Sequence, residues 1–431
     1  MIPIFRSGDS EAVKRLVRSR GIELKKAEST VRRILDDVRR HGDRALEDWT
    51  LRLDGVDLSR AGITVKRAEV VKAYRQVPSG FTKAVKFAAR NIRRTAKQQL
   101  PEAWQITNSS GIKISQIVRP LDRVACYVPG GRFPLPSTVL MSVIPAQVAG
   151  VRDILITSPR PAPAVLVAAD LLGVKKIFRL GGAQAIAAFA FGTESVPRAD
   201  KIVGPGNRYV AAAKKLLAGE CGIDFVAGPT ELVVVGSKGN PDWIAADLVA
   251  QAEHDPDAVA IFITPSRKLA LSVQAAAGKV LEEMTASGSA LAAKALGQHG
   301  GIVMTRDLDE AMELVNAFAP EHLTLLDDAV KRLGQVRAAG SIFLGGYSPV
   351  AAGDYASGTN HVLPTAGAAH VRGGLSAADF VKTISVQELS AHGLARLRKA
   401  IVTLARTEGL QAHAHSIETR FKVHGATPKG R

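Results

Sequence analysis

One segment of the chain, residues 353–365, contains more side chains capable of chemistry than any other. It reads Gly-Asp-Tyr-Ala-Ser-Gly-Thr-Asn-His-Val-Leu-Pro-Thr, so a carboxylate, a phenol, hydroxyls, an amide and an imidazole lie close together. The segment lacks apolar periodicity, which favours an ordered polar loop over a helix or strand that buries one face. Three other polar stretches could converge with it: residues 251–255, 320–323 and 408–413. Together these stretches offer acid–base groups and ligands for a metal ion.

The metal-binding candidates are Gln251, His254, Asp354 and His413. Gln251 and His254 are three residues apart in a segment predicted to be helical, so both side chains leave the same face. A set that mixes nitrogen and oxygen donors suits Zn²⁺ with open or expandable coordination. Taken alone, however, a Gln-x-x-His pair is more often the capped end of a helix.

The acid–base candidates are Glu321 and His322, which follow Pro320 and lead into an apolar strand-like run. Proline ends the preceding helical pattern, so the pair could be no more than a turn between helix and strand. An imidazole nevertheless suits a general base, because its ordinary pKa of about 6.5 is close to working pH.

The four polar stretches, in this order, resemble the histidinol dehydrogenase family. The resemblance runs from about residue 31 to residue 420 and includes further motifs at residues 127–131, 181–188, 204–207 and 227–231. It implies an NAD-dependent enzyme that oxidises L-histidinol through L-histidinal to L-histidine with two NAD molecules, the last step of histidine biosynthesis. It also implies one Zn²⁺ per subunit and a homodimer whose active sites are shared between subunits.

The resemblance further implies a role for each site residue. His322 would take the proton of the alcohol as the general base, and Glu321 would activate water for the second oxidation. The zinc ion would hold the imidazole and amino nitrogens of the substrate. Its ligands would be Gln251, His254, Asp354 and His413, with His413 selected over the nearby His415 by the Glu-Gly-Leu-x-Ala-His pattern. The substrate contacts would comprise these ligands, His322, Thr230, His361 and Glu408. The cofactor contacts would be Tyr127, Gln184 and Asn207.

Two positions depart from the family pattern. Thr230 stands where the family usually has serine, so the hydroxyl is kept but a methyl group is added to the pocket wall. Val350 replaces a usually acidic residue four positions before Asp354, which would loosen recognition of a cationic amino alcohol.

The elements that must position these residues follow a simple order. Residues 1 to about 105 are predicted to be mainly helical, and from about residue 117 apolar strand-like runs alternate with Ala-rich helical segments. This alternation predicts parallel sheets with helices on both faces. We therefore expect an α/β fold with two doubly wound, Rossmann-like parallel-sheet domains, an N-terminal helical segment and a small helical C-terminal tail. The predicted divisions are 1–116, 117–236, 237–385 and 386–431, and the tail would contribute to the partner subunit's site.

The dinucleotide site is not announced by the usual fingerprint. No Gly-x-Gly-x-x-Gly motif opens a strand–helix unit. Glycine-rich loops do follow strand-like runs at residues 130–131, 181–182 and 204–206, where open α/β sheets bind ligands. Each of these loops, taken alone, could be ordinary turn chemistry.

Composition bounds the remaining choices. The 431 residues carry a net charge of +17, but the cations are spread over helical patterns without a zinc-finger or RNA-binding signature, so no nucleic-acid partner is expected. The two cysteines, Cys126 and Cys221, exclude a disulfide framework and fit a reducing cytoplasm. No apolar run is long enough to span a membrane. The alternatives are a related zinc and NAD dehydrogenase for another small polar alcohol, such as a sulfonated diol, and a zinc hydrolase with the same ligands.

Overall fold

The computed structural model describes residues 2–9, 11, 16, 24–109, 111–130 and 134–422, with Lys25 described for its backbone only. Gly131 of the predicted glycine-rich loop and residues 423–431 of the predicted tail lie outside the described residues. The chain divides into two compact units. The larger unit comprises Met1–Leu100 and Leu121–Phe380, and the smaller comprises Pro101–Pro120 and Val381–Arg431.

The strands, in chain order, are β1 (Ile4–Arg6), β2 (Trp104–Thr107), β3 (Ile112–Pro120), β4 (Arg123–Tyr127), β5 (Asp153–Thr157), β6 (Lys176–Phe178), β7 (Lys201–Val203), β8 (Gly222–Ile223), β9 (Glu231–Val235), β10 (Val259–Thr264), β11 (Gly301–Met304), β12 (His322–Leu325), β13 (Ser341–Leu344) and β14 (Val381–Leu389). The α-helices are α1 (Leu24–Asp54), α2 (Leu58–Ala61), α3 (Arg67–Ala73), α4 (Phe81–Gln98), α5 (Pro136–Ala149), α6 (Pro163–Leu171), α7 (Gly182–Phe191), α8 (Arg208–Leu217), α9 (Pro241–Ala252), α10 (Arg267–Glu283), α11 (Ala286–Gln298), α12 (Leu308–Phe318), α13 (Val350–Tyr355), α14 (Ala391–Thr407) and α15 (Gln411–Thr419). Short 3₁₀-helices cover Asp327–Gln335, Ala368–His370 and Ala377–Phe380.

The first parallel sheet lies in the larger unit and has the strand order β6–β5–β4–β7–β8. Its central strand is inaccessible to solvent, with Val124, Ala125 and Cys126 each 0% exposed. A strand that is apolar on both faces must be covered on both, and the helices between the strands provide that cover. The strand order reverses between β4 and β7, so a crevice opens at the carboxyl ends of these strands.

The N-terminal helices pack on this first sheet domain. Val31, Ile34 and Leu46 of α1 join the same apolar cluster as Phe189 of α7. Helix α1 bends at Gly42, where φ is 51° and a side chain would collide with the Glu194 carboxylate. After the bend the helix continues to Asp54, so its last turn reaches the carboxyl edge of the sheet.

The second parallel sheet, also in the larger unit, has the order β1–β11–β10–β9–β12–β13. Two of its strands differ from the sequence-based expectation. The segment Ile4–Arg6, predicted as part of a helical region, pairs with β11 as an edge strand. The run Glu231–Val235, grouped with the first block, pairs instead with β10 and β12 at the centre of the second sheet. An unbroken apolar run identifies a buried strand but carries no information about which sheet receives it. The division at residues 116, 236 and 385 stays a prediction.

The smaller unit combines a three-stranded antiparallel sheet, β14–β3–β2, with helices α14 and α15. The two helices confirm the predicted helical tail, whereas strand β14 was not predicted. It pairs with β3 over nine residues, from Val381 opposite Pro120 to Leu389 opposite Ile112. This pairing joins segments that are far apart in the chain, which a local pattern does not reveal.

The predicted fold is confirmed: an α/β protein with two doubly wound parallel sheets, an N-terminal helical segment and a small helical C-terminal tail. Among the described residues, no helix combines the length and apolar character needed to cross a lipid bilayer. Both cysteines are buried free thiols, and burial raises the pKa of Cys126 to about 12.

Candidate active site

A cavity of about 180 Å³ gathers most of the residues that the sequence singled out. It lies at the amino ends of β9, β10 and β12, each of which is preceded by a segment that lines it. Its opposite wall comes from the carboxyl edge of the first sheet, through Ser137, Thr138 and Pro205. The predicted residues in the wall are Thr230, Gln251, His254, Glu321, His322, Asp354 and His361. The other two predicted substrate contacts, Glu408 and His413, lie in the smaller unit with exposed side chains.

Gln251 and His254 both reach this cavity from the end of α9. The helix ends at Ala252, one residue after Gln251, and the chain continues through a turn in which the amide of His254 donates to the Gln251 carbonyl at 3.5 Å. The predicted helical spacing thus extends just beyond the helix itself. Gln251 is buried and His254 is exposed in the single chain.

Thr230 links Gln251 to Glu321. Its hydroxyl donates to Glu321 Oε2 at 2.6 Å and accepts a hydrogen bond from Gln251 Nε2. The backbone amide of Glu231 donates to the same Glu321 oxygen at 2.8 Å. The carboxylate of Glu321 is therefore held in one orientation, and the amide of Gln251 is turned so that its carbonyl oxygen is left for another contact.

Glu231, which the sequence analysis did not single out, also helps to fix the position of Glu321. Its carboxylate is fully buried and accepts hydrogen bonds from the amides of Glu321, at 3.3 Å, and Ala366, at 2.8 Å. Residues 231 and 321 thus each hold the other's backbone amide with a side chain. Its place in the Ala-Gly-Pro-Thr-Glu motif was the only signal in the sequence.

His322 is buried with one nitrogen occupied and the other unpaired. Nδ1 donates to the carbonyl oxygen of Glu231 at 2.9 Å. Nε2 has no hydrogen-bond partner among the described residues and lies 3.6 Å from Asp354 Oδ1. Burial alone would lower the pKa of His322, but the carboxylates of Glu321 and Asp354 outweigh it and raise the pKa to about 10. When the ring is neutral, Nε2 is the atom with a free lone pair.

Asp354 and His361 lie in the polar segment, and part of that segment is helical. Residues 353–355 form the end of α13, which corrects the expectation of a loop throughout. The helix is seated by Val350, which packs in the apolar cluster of the second sheet, so the departure at this position serves packing. Burial would raise the pKa of Asp354, but the neighbouring His322 outweighs this and lowers it.

His361 joins the two walls of the cavity. Its Nδ1 donates to the carbonyl oxygen of Asp354 at 3.0 Å, and its Nε2 accepts from the Thr138 hydroxyl at 3.2 Å. Burial lowers the pKa of His361, which favours this neutral form. Thr138, at the start of α5, was missed by the sequence analysis because it lies in an otherwise apolar helical pattern.

A second cavity, of about 390 Å³, lies at the carboxyl edge of the first sheet and contains two of the predicted cofactor contacts. The hydroxyl of Tyr127 accepts a hydrogen bond from the amide of Gly182 at 3.1 Å, and burial raises its pKa to about 12. Asn207 caps α8 by accepting from the amides of Tyr209 and Val210. The third predicted contact, Gln184, is fully buried behind Gly182.

Gln184 is tied to a residue that the sequence did not indicate. Its Nε2 donates to Asp54 Oδ2 at 3.0 Å, and its Oε1 has no hydrogen-bond partner in the described part of the chain. Asp54 is the last residue of α1 and lines the cavity directly. Asp54 was not predicted, because it lies about seventy positions before β4, the first strand of this sheet in the chain.

The loop after β7 is fixed by glycine and by a buried ion pair. Gly204 has φ 112°, and a side chain there would collide with the carbonyl oxygen of Tyr127. Lys214 Nζ donates to the Gly204 carbonyl at 3.0 Å, and Asp224 Oδ2 accepts from the Gly204 amide at 2.7 Å. Lys214 and Asp224 also form an ion pair with both side chains buried. These contacts hold the predicted glycine-rich loop in one conformation at the switch point of the sheet.

The comparisons with known proteins agree with one another. The sequence profile of the histidinol dehydrogenase family matches residues 17–421. The chain is 44% identical to histidinol dehydrogenase of Methanothermobacter thermautotrophicus, over 96% of this chain and 98% of the relative. It is 46% identical to that of Syntrophotalea carbinolica, over 92% and 93%. The crystal structure of histidinol dehydrogenase from Elizabethkingia anophelis matches with a TM-score of 0.91 and 34% identity, covering 98% of each chain. The chain therefore belongs to the histidinol dehydrogenase family and is an oxidoreductase.

Proposed function

We propose that this protein is a zinc-dependent histidinol dehydrogenase of the cytoplasm that oxidises L-histidinol through L-histidinal to L-histidine with two NAD molecules, completing histidine biosynthesis. The observation that carries the proposal is the arrangement around His322. Its Nε2, which has no hydrogen-bond partner among the described residues, faces Asp354 in the same cavity as the hydrogen-bonded carboxylate of Glu321. The arrangement combines a general base, a carboxylate that can activate water and a set of side chains that can bind a metal ion.

The zinc ligands would be Gln251, His254, Asp354 and His413. The donors fit the ion, because the Gln251 amide nitrogen is engaged by Thr230 and leaves the carbonyl oxygen, while His254 and Asp354 line the same cavity. Among the described residues, no three His, Cys, Asp or Glu side chains form a metal-binding group. The proposed set accordingly needs both an amide ligand and His413. Bound zinc would hold the nitrogens of the substrate and orient its alcohol carbon.

His322 would act as the general base in the first oxidation. In this role Nε2 would take the alcohol proton, and NAD, when bound, would supply the hydride acceptor for the alcohol carbon, so that an aldehyde results. The base must be neutral at the outset, whereas Asp354 and Glu321 raise its pKa to about 10. A dication held by Asp354 would offset the charge of that carboxylate and lower the pKa of His322 towards working pH.

Glu321 would act in the second oxidation. Its Oε2 is occupied by Thr230 and by the amide of Glu231, so Oε1 is the atom left to accept a proton from water. That water would add to the aldehyde, and a second NAD, when bound, would supply the hydride acceptor for the hydrate. The overall balance is histidinol, water and two NAD⁺ converted to histidine and two NADH, with release of protons.

NAD would bind in the 390 Å³ cavity at the carboxyl edge of the first sheet. This is the position at which open α/β sheets bind nucleotides. Tyr127 and Asn207 line the cavity, and Gln184, buried behind Gly182, would act there by holding the Asp54 carboxylate at the cavity wall.

We propose a homodimer in which the C-terminal tail completes the partner's site. The smaller unit leaves large apolar side chains exposed in the single chain, among them Trp104 at 47%, Ile106 at 62% and Leu404 at 63%. Burial of such a surface favours association. Glu408 and His413 lie in this same unit and would be delivered to the second chain, as an isologous two-fold arrangement allows.

The test is the yield of NADH per histidinol consumed by the purified enzyme. Two NADH should form per histidinol, with histidine as the product and little free histidinal. The His322→Asn variant serves as the control for background cofactor reduction. A yield near one, with accumulation of the aldehyde, would contradict the four-electron assignment.

A further inference from the structure

We infer that Asp54 selects the dinucleotide: its carboxylate accepts hydrogen bonds from the ribose diol at the adenosine end of NAD and excludes the 2′-phosphate of NADP. The inference rests on the proposed cofactor site and adds a specificity residue to it.

The loop after β5, the second strand of the first sheet in chain order, lacks an acidic residue. In dinucleotide-binding folds an acidic residue at that place binds the ribose 2′-hydroxyl. Here β5 ends at Thr157 and continues as Ser-Pro-Arg, so the expected acid is missing and a cation, Arg160, stands nearby. Another group must supply the acceptor if NAD is to be preferred.

Asp54 brings a carboxylate to this place from a remote part of the chain. It lines the cavity together with Pro159 from the loop after β5. A methyl group built on Gly181, in the loop after β6, would lie 2.6 Å from the Pro159 ring and 3.1 Å from Asp54 Oδ2. The carboxylate therefore lies beside the loops that follow β5 and β6, at the side of the crevice where the adenosine ribose binds in this class of fold.

One oxygen of the Asp54 carboxylate is held by a hydrogen bond, and the other can accept a hydrogen bond from a ligand. Gln184 Nε2 donates to Oδ2 at 3.0 Å, and Gln184 is itself fully buried. No hydrogen bond to Oδ1 is formed within the described residues, so that oxygen can accept from a ribose hydroxyl. The side chain is half-buried, which strengthens charge-assisted hydrogen bonds relative to those in water.

The local charges predict how the selection would change. Burial raises the pKa of Asp54, and the nearby positive charge of Arg160 and the Gln184 hydrogen bond oppose this rise. Arg160, which follows the cavity-lining Pro159, thus offsets part of the negative charge of Asp54. A phosphate on the 2′-oxygen would meet the carboxylate first and be repelled. With Asp54 neutral, the uncompensated Arg160 would attract the same phosphate.

The experiment is equilibrium titration of the zinc-loaded enzyme with NAD and with NADP, by calorimetry and without substrate. For Asp54→Asn we expect the Kd for NAD to rise about tenfold, because a charge-assisted hydrogen bond is replaced by a neutral one, while NADP binds more tightly. The control is Asp48→Asn, which removes the same charge from an exposed position on the same helix and should change neither Kd. Asp54→Ser supplies a second neutral variant if the asparagine variant does not fold.

The outcomes separate this inference from the proposed function. If Asp54→Asn weakens NAD and NADP equally, Asp54 only supports Gln184, and its role in selection is overturned. Selection by Asp54 is also overturned if neither Kd changes. If the wild-type enzyme binds neither dinucleotide, the proposed cofactor site itself fails.

Discussion

Replacing Thr230 by valine would test the hydrogen-bond chain on which the site depends. The substitution keeps the shape of the side chain but removes the hydroxyl that joins Glu321 to Gln251. The matched control is Thr230→Ser, which keeps the hydroxyl and removes only the methyl group.

The magnitude follows from the two contacts that are lost. The hydrogen bond to the Glu321 carboxylate is charge-assisted and contributes about 1.5–3 kcal/mol, and a buried amide N–H left without a partner costs about 1–3 kcal/mol. Glu321 still accepts a hydrogen bond from the backbone amide of Glu231 at 2.8 Å, so the loss at Glu321 lies at the lower end of the range of about 1.5–3 kcal/mol. We therefore expect a total of about 2.5–4.5 kcal/mol. If this loss appears in the transition state, where both side chains must be correctly oriented, kcat/KM falls roughly 70- to 2,000-fold.

The assay compares kcat/KM for histidinol and bound zinc in the wild type and both variants, after folding is checked by circular dichroism. The serine variant should stay within about threefold of the wild type, because it retains both hydrogen bonds. If the folded valine variant is as active as the serine variant, the linkage through Thr230 is not needed for catalysis.

Two further predictions address the division of roles in the site. His322→Asn should reduce kcat by roughly 10²–10⁴-fold while zinc content stays unchanged, because the imidazole is assigned as a base and not as a ligand. Loss of zinc from this variant, measured by elemental analysis, would show that the assignment is wrong. Mixing inactive His413→Ala and His254→Ala chains should restore activity, because a mixed dimer with exchanged tails has one site with both lesions and one with neither. Absence of recovery despite demonstrated subunit exchange would place the tail at its own chain's site.

Several features of this protein were predictable from the sequence because their causes are local. The buried strand Arg123–Tyr127 and the Ala-rich helices around it have the composition of a layered α/β sheet, whatever lies elsewhere in the chain. The Gly204 loop was predicted for the same reason, since its backbone passes through a conformation that few other residues adopt. The convergence of Gln251, His322 and Asp354 followed from family resemblance, not from spacing alone.

Tertiary structure decided what depends on contacts between distant segments. Only the fold shows that Thr138 approaches His361 across 223 positions, and that Glu231 and Glu321 hold each other's backbone amides. Asp54 reaches the 390 Å³ cavity at the carboxyl edge of the first sheet because α1 bends at Gly42 and packs on that sheet. A local pattern records which face of an element is apolar, but it does not record which element that face will meet. The roles of these polar side chains arise only when burial brings their partners together and makes each unpaired group costly.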